Sequence, residues 1–426
     1  MKIIFCKGQF QGPISGADEI LVNYALQLHQ SEHSVSVLLL YPFSPEGPYH
    51  TRLRESGIPV DTIASGSAST FLGGGRKIAR SLLNAFPSSQ KLIRKNAQKV
   101  ATNIASRHYE QCRDFLKESR ADVVHVMTPD PGAMVMISAA HAAGIPVLYQ
   151  EVGIPYHPPS YESYYQQFTT VLPLCAEVAA LSPRLAQQCR EMLPYSNHLS
   201  VLPLIMEDFR NGHSTARDTS TGLTIGFAAR IEHLKGPMVL LEAFAIAVQK
   251  WPRLRLKIAG TGSLEQKFAA RAEALGVASL CEFVGVYTKT EQRSSFMQHL
   301  DVFALPSLTE GTPNSIVEAM TFGLPVVGSS VGGIPDVVTP DTGILVPPEN
   351  PAALAAAIIR LAEDAELRAR MGGAARERYD KLFSPKVVLP VLLNTYSRMA
   401  ARDSSRSSPS ANGASHPWLQ KASSPM

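Results

Sequence analysis

The sequence predicts an α/β protein made of two doubly wound, Rossmann-like domains that face each other across a crevice. The chain has 426 residues, which is too long for one ordinary hydrophobic core and favours two domains. It opens with a strand, a glycine-containing loop, a helix and a second strand, and the same alternation begins again after a polar segment at residues 211–222. Alternating strands and helices are typical of parallel sheets with helices on both faces.

The first domain is expected over residues 1–210. Its opening strand is the apolar run at residues 2–6, because short apolar runs that end at a glycine are typical of buried parallel strands. The helix that follows, at residues 17–29, carries its apolar side chains on one face. Further strands are predicted at residues 34–40, 123–127, 146–150 and 178–181, and residues 76–120 are expected to be largely helical.

The second domain is expected over residues 222–384, after the polar segment, which suits a linker. Its strands are predicted at residues 223–228, 254–259, 281–284, 302–305 and 325–328, and its helices at residues 237–249, 264–275, 314–322 and 352–371. A helix at residues 385–401 is expected to pack back on the first domain. Residues 402–426 are rich in serine and proline, so we expect a disordered tail there.

The composition argues against several classes of protein. A formal net charge of +4 gives no reason to expect nucleic-acid binding. Five scattered cysteines, none in a C-x-x-C pair, predict neither disulfides nor a zinc site, and reduced thiols fit a cytoplasmic protein. Apolar runs are shorter than the roughly 18 residues of a membrane span, and polar residues interrupt the amino terminus too early for a signal peptide. We therefore expect a cytoplasmic protein.

Residues 76–120 contain 11 lysines and arginines against three acidic residues. Basic helices with an apolar face bind anionic lipid, each cation contributing on the order of 1 kcal/mol near the surface. On that interpretation the protein would be peripheral at the inner membrane face, with a lipid-linked substrate. The alternative, which we favour, is an ordinary solvated helix face.

Two glutamates stand eight positions apart in the segment EGTPNSIVE, which follows the strand predicted at residues 302–305 and opens the next helix. Ligands of open α/β sheets lie off the carboxyl ends of strands, where this segment falls. Pro313 suits a first helical position, with Thr312 or its neighbour as the cap, and the free N–H groups of the helix start favour a phosphate. Glu310 and Glu318 can accept hydrogen bonds from sugar hydroxyls. The alternative is an acidic pair that only complements the helix dipole.

Two cations, Arg230 and Lys235, lie in the segment FAARIEHLKG, after the strand predicted at residues 223–228. A planar guanidinium and a mobile ammonium at the carboxyl end of a strand suit a diphosphate. The alternative is a solvated loop with ordinary surface cations.

The succession of these segments resembles the family 4 retaining glycosyltransferases, which have the GT-B fold. The resemblance is dense over residues 223–383 and thinner over the first 205 residues. It rests on seven segments in order: FAARIEHLKG, IAGTGSLEQKF, FVGVYTKTE, DVFALPS, EGTPNSIVEAM, GLPVVGSSVGGIPD and GILVPPENPAALAAAI. It implies transfer of a hexosyl unit from a nucleoside-diphosphate sugar, UDP- or GDP-linked, to a hydroxyl of a glycan, lipid-linked or small-molecule acceptor, as in polysaccharide biosynthesis.

By this resemblance Glu310 and Glu318 form the family's E-x7-E signature, with Glu310 beside the donor sugar and Glu318 on the nucleotide ribose. Arg230 and Lys235 fall where the family binds the donor diphosphate, and Gly285 falls near the base pocket. The remaining donor-binding residues that we assign to this site are Gly311, Thr312 and Asn314.

The resemblance also assigns residues of the first domain. Gly16, in the segment QGPISGADE, falls in the family's glycine-rich loop, although Ser15 stands where a glycine is usual. The loop is not G-x-G-x-x-G, so a dinucleotide is not implied. His125 lies where relatives have a histidine near the reacting centre, while this chain has Met127 at a second such position. The alternative for His125 is a packed, hydrogen-bonded core histidine.

Besides the sugar nucleotide, no cofactor is expected. No two aspartates stand two positions apart, so a D-x-D metal motif is absent. The two cations would stabilise the leaving diphosphate in place of a metal ion, and we expect metal independence with retention of anomeric configuration. Glu151 and Gly153 are assigned to the acceptor side. Two alternatives stay open: a noncatalytic sugar-nucleotide-binding protein and, less favoured, a sugar-nucleotide 2-epimerase.

Overall fold

The computed structural model describes residues 1–10, 12, 15–42, 47–64, 106–128, 130–153, 166–192, 199–210 and 222–404. Within these residues the strands form two separate parallel sheets, one of seven strands and one of six. Helices connect successive strands, as a doubly wound α/β fold requires. The predicted fold class is confirmed.

The strands of the first sheet are β1 Lys2–Lys7, β2 Ser34–Leu39, β3 Val60–Thr62, β4 Val123–Met127, β5 Val147–Glu151, β6 Glu177–Ala180 and β7 Leu199–Val201. They lie in the order β3-β2-β1-β4-β5-β6-β7 and pair in parallel. The strand order reverses between β1 and β4, so the loops after these two strands diverge and leave room for a ligand at the carboxyl edge.

The strands of the second sheet are β8 Leu223–Ala228, β9 Leu254–Ala259, β10 Cys281–Gly285, β11 Val302–Leu305, β12 Val326–Ser329 and β13 Gly343–Val346. They lie in the order β10-β9-β8-β11-β12-β13, again in parallel. Here the order reverses between β8 and β11. The loop after β8 carries Arg230 and Lys235, and the loop after β11 carries Glu310, so the predicted site residues flank the reversal.

The helices associated with the first sheet are α1 Gly16–Gln30, α2 Pro48–Glu55, α3 at residues 106–119, α4 Pro131–Ala142 and α5 Pro183–Met192. The later helices are α6 Pro237–Lys250, α7 Glu265–Ala274, α8 Thr290–Gln298, α9 Asn314–Thr321, α10 Ile334–Val337, α11 Pro351–Glu363, α12 Ala365–Leu382 and α13 Pro385–Ser404. Short 3-10 turns lie at Leu172–Leu174, His233–Lys235 and Ala278–Leu280. Among these described helices, none is long and apolar enough to cross a membrane.

The prediction of a single helix at residues 352–371 is wrong, because the structure has two helices there, α11 and α12. Asp364 separates them with an extended backbone (φ −117°, ψ 95°). Its carboxylate accepts a hydrogen bond from the backbone N–H of Leu367 at 2.8 Å and so caps the second helix. The alanine-rich composition of the first helix concealed this cap.

Part of the basic stretch lies outside the described residues, namely residues 76–105. The same is true of the predicted linker up to residue 221 and of the tail from residue 405. The remainder of the basic stretch forms α3, whose apolar face of Tyr109, Cys112 and Leu116 is buried in the protein core. That face of α3 is therefore not free to lie on a lipid surface.

Helix α13 returns to the first sheet, where it packs against α1 and β4. The connection at residues 202–209 runs beside it and is held from both sides. The hydroxyl of Tyr24 on α1 donates to the carbonyl of Pro203 at 2.6 Å, and the hydroxyl of Tyr379 on α12 donates to the carbonyl of Met206 at 2.9 Å. These bonds fix the chain where it leaves the first sheet.

Candidate functional site

The start of helix α9 is the centre of the candidate site. Pro313 is the cap residue and not the first helical residue, with an extended backbone and no side-chain hydrogen bond to the helix. The expected cap by Thr312 is not formed: its Oγ1, like Oδ1 of Asn314, is buried without a hydrogen-bond partner among the described residues. Uncapped N–H groups at the positive end of a helix are a binding site for anions, and the two unpartnered oxygens can bind a polar ligand.

Glu310 lies in the loop before α9 with its side chain 8% exposed. Its Oε1 accepts hydrogen bonds from Lys235 Nζ at 2.6 Å and from Ser307 Oγ at 2.8 Å. Among the described residues, Oε2 has no such partner. One carboxylate oxygen is thus fixed by the protein, and the other is left for a ligand.

Gly236 holds the loops after β8 and β11 together. Its φ is +67°, and a Cβ at this position would lie 2.0 Å from the carbonyl oxygen of Pro306. The backbone N–H of Leu308 in turn donates to the carbonyl of Leu234 at 2.9 Å. Only glycine permits this approach, and the approach brings the preceding residue, Lys235, to Glu310.

Arg230 lies two residues beyond the end of β8, and its side chain is exposed. No carboxylate in the described part of the chain forms an ion pair with it, in contrast to Lys235. A guanidinium in this position is available to an anionic ligand.

Glu318 lies on α9 and is 4% exposed. Its Oε2 accepts a hydrogen bond from the hydroxyl of Tyr287 at 2.8 Å, and its Oε1 lies 3.7 Å from Nε of Arg293. Burial raises the pKa of Glu318, while the Arg293 charge opposes the rise. The orientation of the carboxylate is therefore set by two neighbouring side chains.

Gly285 ends β10 with φ +70°, and no atom lies within 4 Å of the position that a Cβ would take. Its carbonyl accepts a hydrogen bond from the N–H of Gly260 at 2.8 Å. Two residues further along the chain, Tyr287 reaches Glu318. This end of β10 therefore offers open space close to the carboxylate, which suits a planar base.

The starts of α1 and α9 meet across the crevice. Nδ2 of Asn314 donates to the carbonyl of Gly16 at 3.0 Å. A Cβ at Gly311 would lie 2.4 Å from the carbonyl oxygen of Val152, which follows β5. Gly16 of the first domain and Gly311 and Asn314 of the second are thus brought together at one place.

Ser15, which stands where the sequence resemblance expects a glycine, is the cap of helix α1. Its Oγ accepts a hydrogen bond from the N–H of Asp18 at 3.3 Å, and its own N–H donates to the hydroxyl of Tyr49 at 2.8 Å. The departure from the family's pattern therefore fixes the helix start, and Gly16 keeps its close approach to α9.

His125, which the resemblance assigns to the reacting centre, lies in the core of the first domain, as the alternative interpretation expects. Its side chain is 0% exposed, its Nδ1 hydrogen-bonds the hydroxyl of Tyr396 on α13 at 2.7 Å, and its ring packs against Phe5 at 5.1 Å between centroids. Burial lowers the pKa of His125 to about 3, although the Gln150 side chain acts in the opposite direction. His125 is a neutral core residue that joins the first sheet to the last helix.

Glu151 and Gly153 lie at the end of β5, beside the contact between Val152 and Gly311. Oε2 of Glu151 accepts a hydrogen bond from the hydroxyl of Tyr149 at 2.7 Å, and Oε1 accepts from the N–H groups of Val152 and Gly153 at 3.1 and 3.3 Å. Burial nevertheless raises the pKa of Glu151 to about 7. A buried carboxyl group that titrates near neutrality therefore lies at the edge of the crevice.

Sequence reasoning did not find Thr128, which follows β4. Its φ is +70°, a conformation that β-branched residues rarely adopt and that costs of order 1–3 kcal/mol. Nor did it find the buried Arg293 or the role of Tyr287. An arginine in a polar helix resembles a surface residue, and only the neighbouring α1 shows that it is buried.

In the part of the chain that the structure describes, no group of three or more histidine, cysteine, aspartate or glutamate side chains is arranged to hold a metal ion.

Residues 215–378 match the family described as glycosyl transferases group 1. The D-inositol 3-phosphate glycosyltransferase of Streptomyces scabiei is 38% identical over 165 residues, which are 35% of this chain and 35% of that protein. The enzyme of the same name from Corynebacterium glutamicum is 30% identical over 186 residues, 42% of this chain and 44% of that protein. The matched region thus spans less than half the length of these curated relatives.

Solved structures are similar over most of the chain. HepE of Anabaena, in complex with UDP and glucose, is 20% identical with a TM-score of 0.69, and the match covers 93% of this chain and 99% of that one. Sucrose-phosphate synthase of Thermosynechococcus elongatus is 16% identical with a TM-score of 0.69, covering 94% and 99%. The chain therefore has the GT-B fold, and its C-terminal part carries a glycosyl transferases group 1 domain.

Proposed function

We propose that this protein is a retaining glycosyltransferase of family 4. It transfers a hexosyl unit from a nucleoside-diphosphate sugar, UDP- or GDP-linked, to a hydroxyl of a glycan, lipid-linked or small-molecule acceptor. The observation that carries the proposal is the uncapped start of α9, flanked by Glu310 with Lys235 and by Glu318, within a glycosyl transferases group 1 match. The similarity to HepE, a protein solved with UDP and glucose, supports the same class of donor.

In the proposed complex the diphosphate lies against the start of α9. Arg230 is unpaired among the described residues, and the mobile ammonium of Lys235 can be shared between Glu310 and a phosphate oxygen. Both cations and the helix end stabilise charge that develops on the leaving diphosphate, so they lower the barrier more than they strengthen ground-state binding. They supply electrostatic stabilisation that a metal ion supplies elsewhere, and we propose metal independence.

The chemical step breaks the bond between the anomeric carbon and the diphosphate oxygen, and the electron pair stays on that oxygen. The acceptor hydroxyl attacks the anomeric carbon from the same face, and its proton passes to the leaving phosphate. Retention follows without a covalent protein intermediate. The free Oε2 of Glu310 is placed to accept a hydrogen bond from a donor-sugar hydroxyl, while Glu318 binds the ribose.

We assign the acceptor to the opposite side of the crevice, where Glu151 and Gly153 end β5. The rigid hydrogen bonding of Glu151 to its own backbone neighbours suits a residue that shapes this wall. Cytoplasmic location and contact with a membrane remain predictions, and residues 76–105, on which the second depends, lie outside the described residues.

The proposal is tested by incubating the full chain with UDP- and GDP-hexoses and simple acceptors, with and without EDTA, and measuring nucleoside-diphosphate release. We expect release that survives EDTA, a product of unchanged anomeric configuration by NMR, and loss of turnover in Glu310→Ala. Glu282→Ala, at a glutamate whose side chain is 64% exposed, is the matched control. Binding without turnover would instead support the noncatalytic alternative, and isomerised sugar nucleotide would support the epimerase.

A further inference from the structure

Arg293, on helix α8, lies where both domains and their connection meet. Its side chain is 9% exposed. One terminal nitrogen donates to Oε1 of Glu19 on α1 at 3.2 Å, and its Nε lies 3.7 Å from Oε1 of Glu318 on α9. The guanidinium carbon lies 4.4 Å from the ring centroid of Phe209, in the connection between the domains. A single buried cation thus contacts the first domain, the connection and the predicted ribose-binding carboxylate.

The charges around Arg293 are balanced. Arg52 on α2 pairs with the other oxygen of Glu19 at 2.7 Å, so two cations face two carboxylates, Glu19 and Glu318. Burial alone would raise the pKa of Glu19, but Arg293 and Arg52 outweigh it and hold that pKa below its ordinary value. Glu19 is therefore an anion that anchors Arg293 from the side of the first domain.

The two carboxylates depend on Arg293 to different degrees. Without Arg293, Glu19 would still have Arg52 as a direct partner. The direct side-chain partner left to Glu318 among the described residues would be the neutral hydroxyl of Tyr287. A buried charge that loses its partner is strongly destabilised. The more sensitive of the two is therefore the carboxylate on the donor side.

We propose that Arg293 is a positioning residue for donor recognition, which holds Glu318 charged and oriented from a place fixed by Glu19 of the first domain. This inference rests on the proposed function, because Glu318 there binds the ribose of a nucleoside diphosphate. Arg293 does not itself touch the donor. It makes the ribose-binding carboxylate dependent on the contact between the two domains.

The proposal predicts a particular dependence on pH. The charged and titratable groups that face Glu318 are Arg293, Glu19, Tyr287 and Arg52. Burial and Glu19 raise the pKa of Glu318, and among the opposing groups Arg293 has the largest effect. Removing Arg293 in an Arg293→Met variant raises the pKa of Glu318 further, so Glu318 takes up a proton at a higher pH than in wild type and loses an acceptor for the ribose hydroxyls. The affinity of the variant for nucleotide therefore recovers as the pH rises and Glu318 loses that proton.

The test is calorimetric titration of the full chain with UDP and with GDP between pH 6.5 and 9.0. We expect Arg293→Met to bind the recognised nucleotide about 10-fold more weakly than wild type at pH 6.5, as for the loss of a hydrogen bond to a charged group, and to recover toward pH 9.0. Arg293→Lys keeps the charge but loses the planar contact with Phe209, so it should lose less affinity at pH 6.5 than Arg293→Met does. The control is Arg52→Met, which removes the other cation from Glu19 without a contact to Glu318, and it should change the affinity by less than about 2-fold.

Several outcomes would overturn the inference. Arg293→Met binding as tightly as wild type at every pH contradicts it, as does an equal loss in Arg52→Met. If circular dichroism shows that Arg293→Met does not fold, Glu19→Gln is the deciding variant, because it weakens the ion pair between Glu19 and Arg293 and leaves Arg293 in place. Weaker nucleotide binding by Glu19→Gln supports the inference, and unchanged binding overturns it. Wild type that binds neither nucleotide refutes the proposed function and the inference together, whereas binding by wild type with unaffected variants refutes the inference alone.

Discussion

Replacing His125 with asparagine should remove an acid-sensitive contribution to stability while leaving the chemistry intact. In the folded protein His125 is buried and hydrogen-bonded to Tyr396, and its pKa is lowered from 6.5 to about 3. A group with a depressed folded pKa contributes stability above its unfolded pKa and loses it as the pH falls. The contribution is therefore complete above pH 6.5 and declines from there toward pH 3.

The magnitude follows from the difference between the two pKa values. At pH 5.0 the unfolded imidazole is almost fully protonated and the folded one is not. Since pH 5.0 lies about 1.5 units below the unfolded pKa, and each unit is worth about 1.36 kcal/mol, protonation favours the unfolded state by about 2 kcal/mol. At pH 7.5 both states are neutral, so this acid-dependent loss of stability is close to zero. Asparagine places an acceptor near the position of Nδ1 and does not titrate, so the variant escapes the loss.

The assay is urea unfolding of wild type and His125→Asn at pH 7.5 and 5.0, followed by circular dichroism. We expect the free energy of unfolding of the variant, relative to wild type, to shift in its favour by about 2 kcal/mol on acidification. His299→Asn, at an exposed histidine, should show no such shift. Transfer activity of His125→Asn at pH 7.5 should stay within about 3-fold of wild type, which is about 0.7 kcal/mol of barrier, because His125 contacts core residues. A shift that is the same at both pH values, or activity that disappears while the fold is kept, would refute the assignment of His125 to the core.

Three further predictions concern the crevice edge. Burial raises the pKa of Glu151 from 4.5 to about 7, so its contribution to stability is complete below pH 4.5 and is lost as the pH rises through 7. The free energy of unfolding of Glu151→Gln, relative to wild type, should therefore increase by up to about 3 kcal/mol between pH 4.5 and 8.5 in thermal melts. Stability curves of the two proteins that run parallel with pH would contradict this. Thr128→Asn should raise the free energy of unfolding by about 1 kcal/mol, because asparagine tolerates positive φ; a lower melting temperature would count against strain at this residue. Gly311→Ala places a Cβ 2.4 Å from the carbonyl oxygen of Val152 and so holds the two domains apart. This change should lower kcat at least about 10-fold, since small misplacements at a reacting centre cost this much or more. Unchanged kcat would mean that activity does not need the contact between Gly311 and Val152.

The sequence was sufficient to predict the interior of both sheets. The strands at residues 123–127, 223–228, 254–259 and 302–305 have the predicted bounds, because a parallel strand buried on both faces is a short apolar run between polar turns. The three-residue strands at Val60–Thr62 and Leu199–Val201 could not be predicted. They lie at the two edges of the first sheet and are partly exposed, so no apolar pattern marks them.

The site was predictable where it depends on one stretch of chain and not where distant stretches meet. Glu310 and Glu318 share a loop and helix, and their spacing is visible in the sequence. The pairing of Lys235 with Glu310 depends on the approach permitted by Gly236, which no local pattern reveals. Arg293 is buried by Glu19, 274 positions earlier in the chain, so its role could be found only in three dimensions.

The most direct test of the account compares nucleotide binding with turnover in Glu310→Ala. In the proposed function Glu310, which pairs with Lys235, would bind the donor sugar, whereas Glu318, Arg230 and the start of α9 would hold the nucleotide. We expect Glu310→Ala to retain affinity for UDP or GDP within about 5-fold and to lose at least about 100-fold in turnover, as when an interaction made mainly in the transition state is removed. Turnover close to that of wild type would contradict the assignment of this crevice as the site of glycosyl transfer.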